Sequence, residues 1–131
     1  MKIFLVDDDD FCLTLYEQQL YSLGYPQVRT FKNGYDCLNN LSETPDIILL
    51  DYGMENFDGF EVLKKIKKIN PDIYVVIISG QEDFSLITKT LQLGAFDFIL
   101  KGDKDIVDIQ SVFEKIGIEK GRFKKSNHFF V

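Results

Sequence analysis

Apolar residues in this chain follow two alternating rhythms. Unbroken runs, Ile3-Phe4-Leu5-Val6, Ile47-Ile48-Leu49-Leu50 and Val75-Val76-Ile77-Ile78, and the aromatic-rich Phe96-Asp97-Phe98-Ile99-Leu100, interrupted by one Asp, have the length and residue types of buried strands. Between them apolar residues recur every three or four positions, the spacing of an amphipathic helix. Strands alternating with helices predict repeated βα units and a parallel sheet.

Five units can be counted. A first helix is expected over about Phe11 to Leu23, with Leu13, Tyr16, Leu20 and Leu23 on one face and Gly24 with Pro26 ending it. Gln27 to Phe31 forms the second strand. Asn33 can cap a short second helix carrying Cys37, Leu38 and Leu41, which stops before Pro45, and strand three follows as Asp46 to Leu50. A third helix, Phe60 to Ile69, buries Val62, Leu63 and Ile66 and exposes Lys64, Lys65, Lys67 and Lys68, with Asn70-Pro71 as its stop. Strand four spans about Ile73 to Ser79. The fourth helix, Asp83 to Leu93, offers Phe84, Ile87 and Leu91 as its apolar face, and the fifth, Lys104 to Ile116, offers Ile106, Ile109, Val112, Phe113 and Ile116.

The expected class is therefore α/β: a (βα)5 chain forming a doubly wound, five-stranded parallel sheet. Right-handed crossovers put helices on both faces, and ligands bind outside the carboxyl ends of the strands. That rule selects one edge. The first run ends in Asp7-Asp8-Asp9-Asp10, the third strand in Asp51, the fourth in Ser79 and the fifth in Lys101. With strands one and three adjacent, Asp7, Asp8 and Asp51 become neighbours although more than forty positions separate them.

Composition narrows the partners. Fifteen basic residues against twenty-one acidic ones leave a net charge of −6, which repels a phosphate backbone and argues against nucleic-acid binding. Lys120, Arg122, Lys124 and Lys125 outnumber Glu119 near the end, a pattern read as a solvated end. No apolar stretch reaches the roughly 18 residues of a membrane span. Cys12 and Cys37 lack metal-ligand spacing and are read as packed free thiols. With Met1-Lys2-Ile3 opening directly into a strand, no export leader is read, and a cytoplasmic location is expected.

An Asp after an apolar strand is by itself a common turn residue. Here four polar strand endings converge. Three clustered carboxylates repel one another, so either one takes a proton or a hard cation sits between them. Mg2+ suits that place, because it takes one or two carboxylates, water and a backbone carbonyl such as that of Gly53. A carboxylate can also attack phosphorus, and then needs charge neutralisation more than a base. Lys101 supplies positive charge and Ser79 a hydroxyl donor. Asp9 and Asp10 are read as the start of the first helix, where negative charge meets its dipole.

On these residues the chain resembles a response-regulator receiver domain of two-component signalling. The resemblance rests on Val6-Asp7-Asp8, Asp51-Tyr52-Gly53-Met54 with Asp58-Gly59, Ser79-Gly80, and Gly94-Ala95-Phe96-Asp97-Phe98-Ile99-Leu100-Lys101. It covers Met1 to about Ile116 and leaves 117–131 as a short tail, read as the end of the last helix, a linker or a disordered end. It implies the flavodoxin-like strand order 2-1-3-4-5. It further implies that Asp51 accepts a phosphoryl group from a sensor histidine kinase or phosphotransfer protein, with Asp7, Asp8, Asp51 and the Gly53 carbonyl holding Mg2+ (or Mn2+). Ser79 then corresponds to the moving hydroxyl residue, Phe98 to the aromatic switch and Lys101 to the phosphate-pairing lysine. Gly53 and Gln81 fall where the family tunes phosphoryl lifetime. The expected output is a change of the helix 4, strand 5 and helix 5 surface towards an unidentified effector, with a phosphorylation-promoted homodimer as one form. Such a domain is a signalling phosphoacceptor, not an enzyme, assisting only its own phosphoryl transfer and loss.

Two departures stand out. Met54-Glu55 replaces the family's usual Met-Pro, and Lys101-Gly102 its Lys-Pro, often joined by a cis bond. A cis bond before a residue other than proline costs about 2.5–4 kcal/mol, so a trans Lys101-Gly102 bond is expected. Three competing readings remain: a small phosphatase of the haloacid dehalogenase type using Asp8 and Asp10, an unphosphorylated pseudo-receiver, and a flavin protein. The first wants a longer core, the second should have lost site residues, and the third would set FMN phosphate against four aspartates.

Overall fold

A computed structural model describes residues 1–53 and 59–129; of 122–129 it describes only the helical backbone. Met54, Glu55 and Asp58, and the side chains of Arg122, Lys124 and Lys125, lie outside the described residues. Strands β1 (Ile3–Val6), β2 (Val28–Phe31), β3 (Ile47–Asp51), β4 (Tyr74–Ser79) and β5 (Asp97–Leu100) alternate with helices α1 (Asp10–Ser22), α2 (Gly34–Asn39), α3 (Gly59–Ile69), α4 (Phe84–Gln92) and α5 (Asp105–Phe129). All four strand pairings are parallel, in the order β2-β1-β3-β4-β5. The (βα)5 expectation and the order 2-1-3-4-5 are thereby met. A 3-10 turn at Leu41–Glu43, unanticipated from the sequence, joins α2 to β3.

The two-residue period of the strands divides the core. Phe4, Val6, Ile48, Leu50, Val75 and Ile77 face α2 and α3, where Cys37, Val62, Leu63 and Ile66 cover them. Ile3, Leu5, Ile47, Leu49, Val76 and Ile78 face α1 and α5, against Leu13, Tyr16, Leu20, Ile109, Val112, Phe113 and Ile116. Every residue of β1 and β3 is buried. That is why these segments read as continuous apolar runs.

Capping chemistry sets the helix ends. Asp9 accepts from the amides of Phe11 and Cys12 at the start of α1, Asn33 from Asp36 at α2, and Asp83 from Ser85 and Leu86 at α4. Helices α1 and α4 end in the same way. Gly24 and Gly94 adopt φ of +97° and +104°, and the next residues, Tyr25 and Ala95, donate back to the carbonyls of Leu20 and Thr90. This double hydrogen-bonded ending favours glycine. Gly94→Ala is expected to destabilise the fold by about 1–2 kcal/mol, since its Cβ would also come within 3.3 Å of Lys67. Gly102→Ala, where a Cβ meets nothing within 4 Å, should leave the urea midpoint nearly unchanged.

Several expectations need correction. Phe84, Ile87 and Leu91 are not the buried face of α4: Phe84 is 83% and Leu91 45% exposed, while Leu86 and Thr90 are buried. Thr90 tolerates burial because its hydroxyl donates to the Ile87 carbonyl at 2.8 Å. Lys67 is half-buried, unlike its neighbours; its ammonium binds the carbonyls of Pro71 and Ile73 at 2.8 and 2.9 Å beyond the end of α3. Helix α5 runs to Phe129, well past the expected Ile116. Both cysteines are free thiols, as expected, Cys37 being fully buried.

Candidate functional site

Parallel pairing brings the carboxyl ends of the strands to one edge. Val6 lies level with Leu50, Asp51 with Ile78, and Ser79 with Leu100, so Asp7, Asp51, Ser79 and Lys101 end neighbouring strands at nearly one height. Asp51 is the last residue of β3, one place inside the strand from where the sequence put it. Asp7, Asp51 and Ser79 are 1%, 4% and 1% exposed, whereas Asp8 faces solvent.

Asp7, Asp8 and Asp51 each offer an oxygen within 4.8 Å of the others. Lys101 reaches into this cluster, its Nζ 3.2 Å from Asp7 Oδ2 and 3.3 Å from Asp51 Oδ2. The remaining oxygens are held by backbone: Asp9 N–H donates to Asp7 Oδ1 at 2.9 Å and Gly53 N–H to Asp51 Oδ1 at 3.1 Å. The tight turn that seats Gly53 also carries Asp51 into place, because Tyr52 N–H bonds the Ile78 carbonyl at 2.9 Å. Ser79 Oγ accepts from Gln81 N–H at 3.1 Å, and a hydroxyl that accepts keeps its own proton to donate.

Charge in the cluster is unbalanced. Burial pushes the Asp7 carboxyl up to about 6, and the neighbouring charge of Asp51 adds to this, against the Asp9 amide and Lys101, which pull it down. Burial by itself would lower the Lys101 ammonium, but Asp51 and Asp7 outweigh it and hold the group above the ordinary lysine range. Three carboxylates and one ammonium carry a formal charge of −2. An all-oxygen donor set, partly buried and open to water at Asp8, fits a hard divalent cation of magnesium type.

The site residues read from the sequence separate cleanly. Asp7, Asp8, Asp51 and Lys101 come together, with Ser79 and Gly53 beside them. Phe98 pairs with Ile77 in the sheet and lies half-buried against the cluster that contains Val62, Leu63 and Ile66. Asp9 caps α1, and Asp10 turns away to pair with Lys32 at 2.8 Å. Asp10, the acid that a dehalogenase-type phosphatase would need, is thus engaged with Lys32 at an exposed position. Tyr16, expected on the apolar face of α1, is 4% exposed. Among the described residues no peptide bond is cis, so Lys101-Gly102 is trans. What the sequence reading missed is the support for that bond. Gly102 N–H donates to Asp105 Oδ2 at 3.3 Å, and Tyr16 Oη donates to the same oxygen at 2.7 Å. The signal was a non-proline amide needing a partner, with Asp three residues downstream.

The comparisons agree with this geometry. A family model described as the response regulator receiver domain matches residues 3–111. The DNA-binding transcriptional regulator NtrC of Escherichia coli (strain K12) is 36% identical over 100 residues, 76% of this chain and 21% of that protein. Chemotaxis protein CheY of Bacillus subtilis (strain 168) is 31% identical over 101 residues, 76% of this chain and 84% of that protein. The chain thus spans about a fifth of the NtrC relatives it matches and most of CheY. The solved receiver domain protein from Clostridium thermocellum superposes with a TM-score of 0.84 at 25% identity, covering 93% of this chain and 98% of that one. The CheX-CheY-BeF3-Mg+2 complex from Borrelia burgdorferi gives 0.80 at 25% identity, covering 88% of each chain. With five parallel strands in this order, an acidic cluster at their carboxyl edge and a lysine closing it, the chain belongs to the response regulator receiver domains of two-component systems.

Proposed function

We propose that Asp51 is the phosphoacceptor of this receiver, charged by the phosphohistidine of a sensor kinase or phosphotransfer protein. The observation that carries the reading is the burial of the Asp51 carboxylate within reach of both Asp7 and Lys101. An Asp51 oxygen forms the bond to phosphorus while the phosphorus–nitrogen bond breaks and its electron pair returns to the imidazole. Asp7, Asp8, Asp51 and the Gly53 carbonyl would hold Mg2+ (or Mn2+), which supplies positive charge to the phosphoryl oxygens when bound. Lys101 pairs with the transferred group, and the Ser79 hydroxyl donates to it.

The reading extends to output. A phosphoryl group that draws in Ser79 and Lys101 shifts the loops after β4 and β5, and Phe98 is the aromatic placed to follow. Beyond it Phe84, Leu91, Leu100 and Val107, on α4, β5 and α5, are exposed, an apolar face for an effector or a second copy. Enzymatic activity is not part of this unit. A relative such as the protein-glutamate methylesterase/protein-glutamine glutaminase of Archaeoglobus fulgidus is matched over 34% of its length.

Incubation with phosphoramidate and Mg2+, followed by intact mass and peptide mapping, tests the proposal. One hydroxylamine-sensitive phosphoryl group on Asp51, absent when the cation is chelated, is the expected result. An unchanged mass would favour the pseudo-receiver, and a phosphoryl group on another residue would overturn the assignment of Asp51.

A further inference from the structure

Lys101 reaches its carboxylates from a loop with little packing of its own. Gly102, Asp103 and Lys104 are exposed, and a Cβ at Gly102 would touch nothing within 4 Å. Polar contacts hold this segment instead. Lys101 N–H bonds the Ser79 carbonyl at 2.8 Å, and Asp105 N–H bonds the Gly102 carbonyl at 3.2 Å. In return Gly102 N–H donates to Asp105 Oδ2 at 3.3 Å, so two hydrogen bonds close the turn between these residues. The same Asp105 oxygen accepts from Tyr16 Oη at 2.7 Å. Tyr16 lies on α1, 89 positions away, locked at 4% exposure in the core.

We propose that Tyr16 and Asp105 are positioning residues for phosphoryl acceptance. The hydrogen-bonded chain from Tyr16 Oη through Asp105 Oδ2 to Gly102 N–H ties the Lys101 loop to the rigid helix α1. A phenol donating to a carboxylate is a short, charge-assisted bond, and its donor sits on a helix packed into the core. The chain thus fixes where Lys101 begins, and its ammonium meets Asp7 and Asp51 without a search among loop conformers. Such pre-positioning matters steeply for charge stabilisation in a transition state. Gly102 contributes through its N–H, a group proline lacks.

The proposal rests on Asp51 as the acceptor, and the experiment separates the two. Phosphorylation rates by phosphoramidate at saturating Mg2+ are measured for wild type, Tyr16→Phe, Asp105→Ala and Asp105→Asn. Tyr16→Phe and Asp105→Ala are expected to slow uptake on the order of tenfold. Asp105→Asn should stay near the wild-type rate, because one amide oxygen can replace the single carboxylate oxygen that accepts both bonds. Mg2+ affinity by calorimetry should be the same in all four, which general loosening of the fold would not spare. In a Lys101→Ala background Tyr16→Phe should cause no further loss. Wild-type rates in Tyr16→Phe, or an equal fractional loss with and without Lys101, would overturn the proposal while leaving Asp51 the acceptor. No uptake by wild type would overturn both. Tyr16→Phe keeps the ring that packs in the core, so it carries the test if Asp105→Ala folds poorly.

Discussion

Asp51→Asn is expected to end phosphoryl uptake, lowering the rate by more than about a thousandfold, in the range of nucleophile losses. An amide oxygen is a poor nucleophile, and no neighbouring carboxylate can take its place. Asp7 is turned towards Lys101 and the Asp9 amide, and Asp8 sits at the solvent side. The substitution is nearly isosteric. Asn keeps an oxygen for the Gly53 amide, now at 3.1 Å, so the turn after β3 should survive and the loss reports chemistry, not folding. Lys101→Ala should be milder, roughly a hundredfold, the scale of one removed charge-stabilising donor. Time courses of intact mass under phosphoramidate check both. Equal rates for Asp51→Asn and wild type would exclude Asp51 as nucleophile, and a Lys101→Ala rate like wild type would exclude its pairing with the phosphoryl group.

Asp7→Asn is expected to stabilise the cation-free protein, by about 2–3 kcal/mol near pH 7.5, and to have almost no effect near pH 3. The direction follows from linkage. Asp7 titrates at about 6 in the fold against an ordinary 3.8, so folding favours its protonated form. Below 3.8 the side chain is neutral in both folded and unfolded chains. Between 3.8 and about 6 the unfolded chain ionises while the folded one holds its proton, so stability is lost across that window and is level once pH has risen through the folded value. Asn mimics the neutral form at every pH and retains an acceptor for the Asp9 amide. Urea titrations of both proteins in chelator between pH 3 and 8 should diverge with rising pH. Added Mg2+ should then raise the melting temperature of wild type more than that of the variant, because the variant has lost a carboxylate from the cluster. A pH-independent difference would show that Asp7 is not strained by its surroundings.

Much of this molecule was legible in its sequence, for a physical reason. A strand buried on both faces has no polar position, so Ile3 to Val6 and Ile47 to Leu50 could hardly be anything else, and parallel connection sends their polar endings to one edge. Legibility failed where two solutions satisfied the same pattern. In α4 both Phe84/Ile87/Leu91 and Leu86/Thr90 have helical spacing; the second won, with Thr90 satisfied by its own helix. Helix α5 was cut short because its apolar periodicity fades after Ile116, whereas helix-forming residues such as Glu119 and Lys120 continue it, Lys120 through polar contact with Asp46 and the Tyr74 ring. The bond between Tyr16 and Asp105 joins positions too far apart in sequence for any local pattern to reveal.

The strand that carries Asp51 has one further consequence. β3 lies in the middle of the sheet, bonded to β1 on one side and β4 on the other, with every residue buried. It has no free edge, and side chains pack against both of its faces. Charge placed on Asp51 therefore cannot relax by deforming the floor beneath it. On the proposed role of Asp51, the strain of phosphorylation would pass upward into the connections above the sheet, and the packed centre would be the reason that a response shows at the rim.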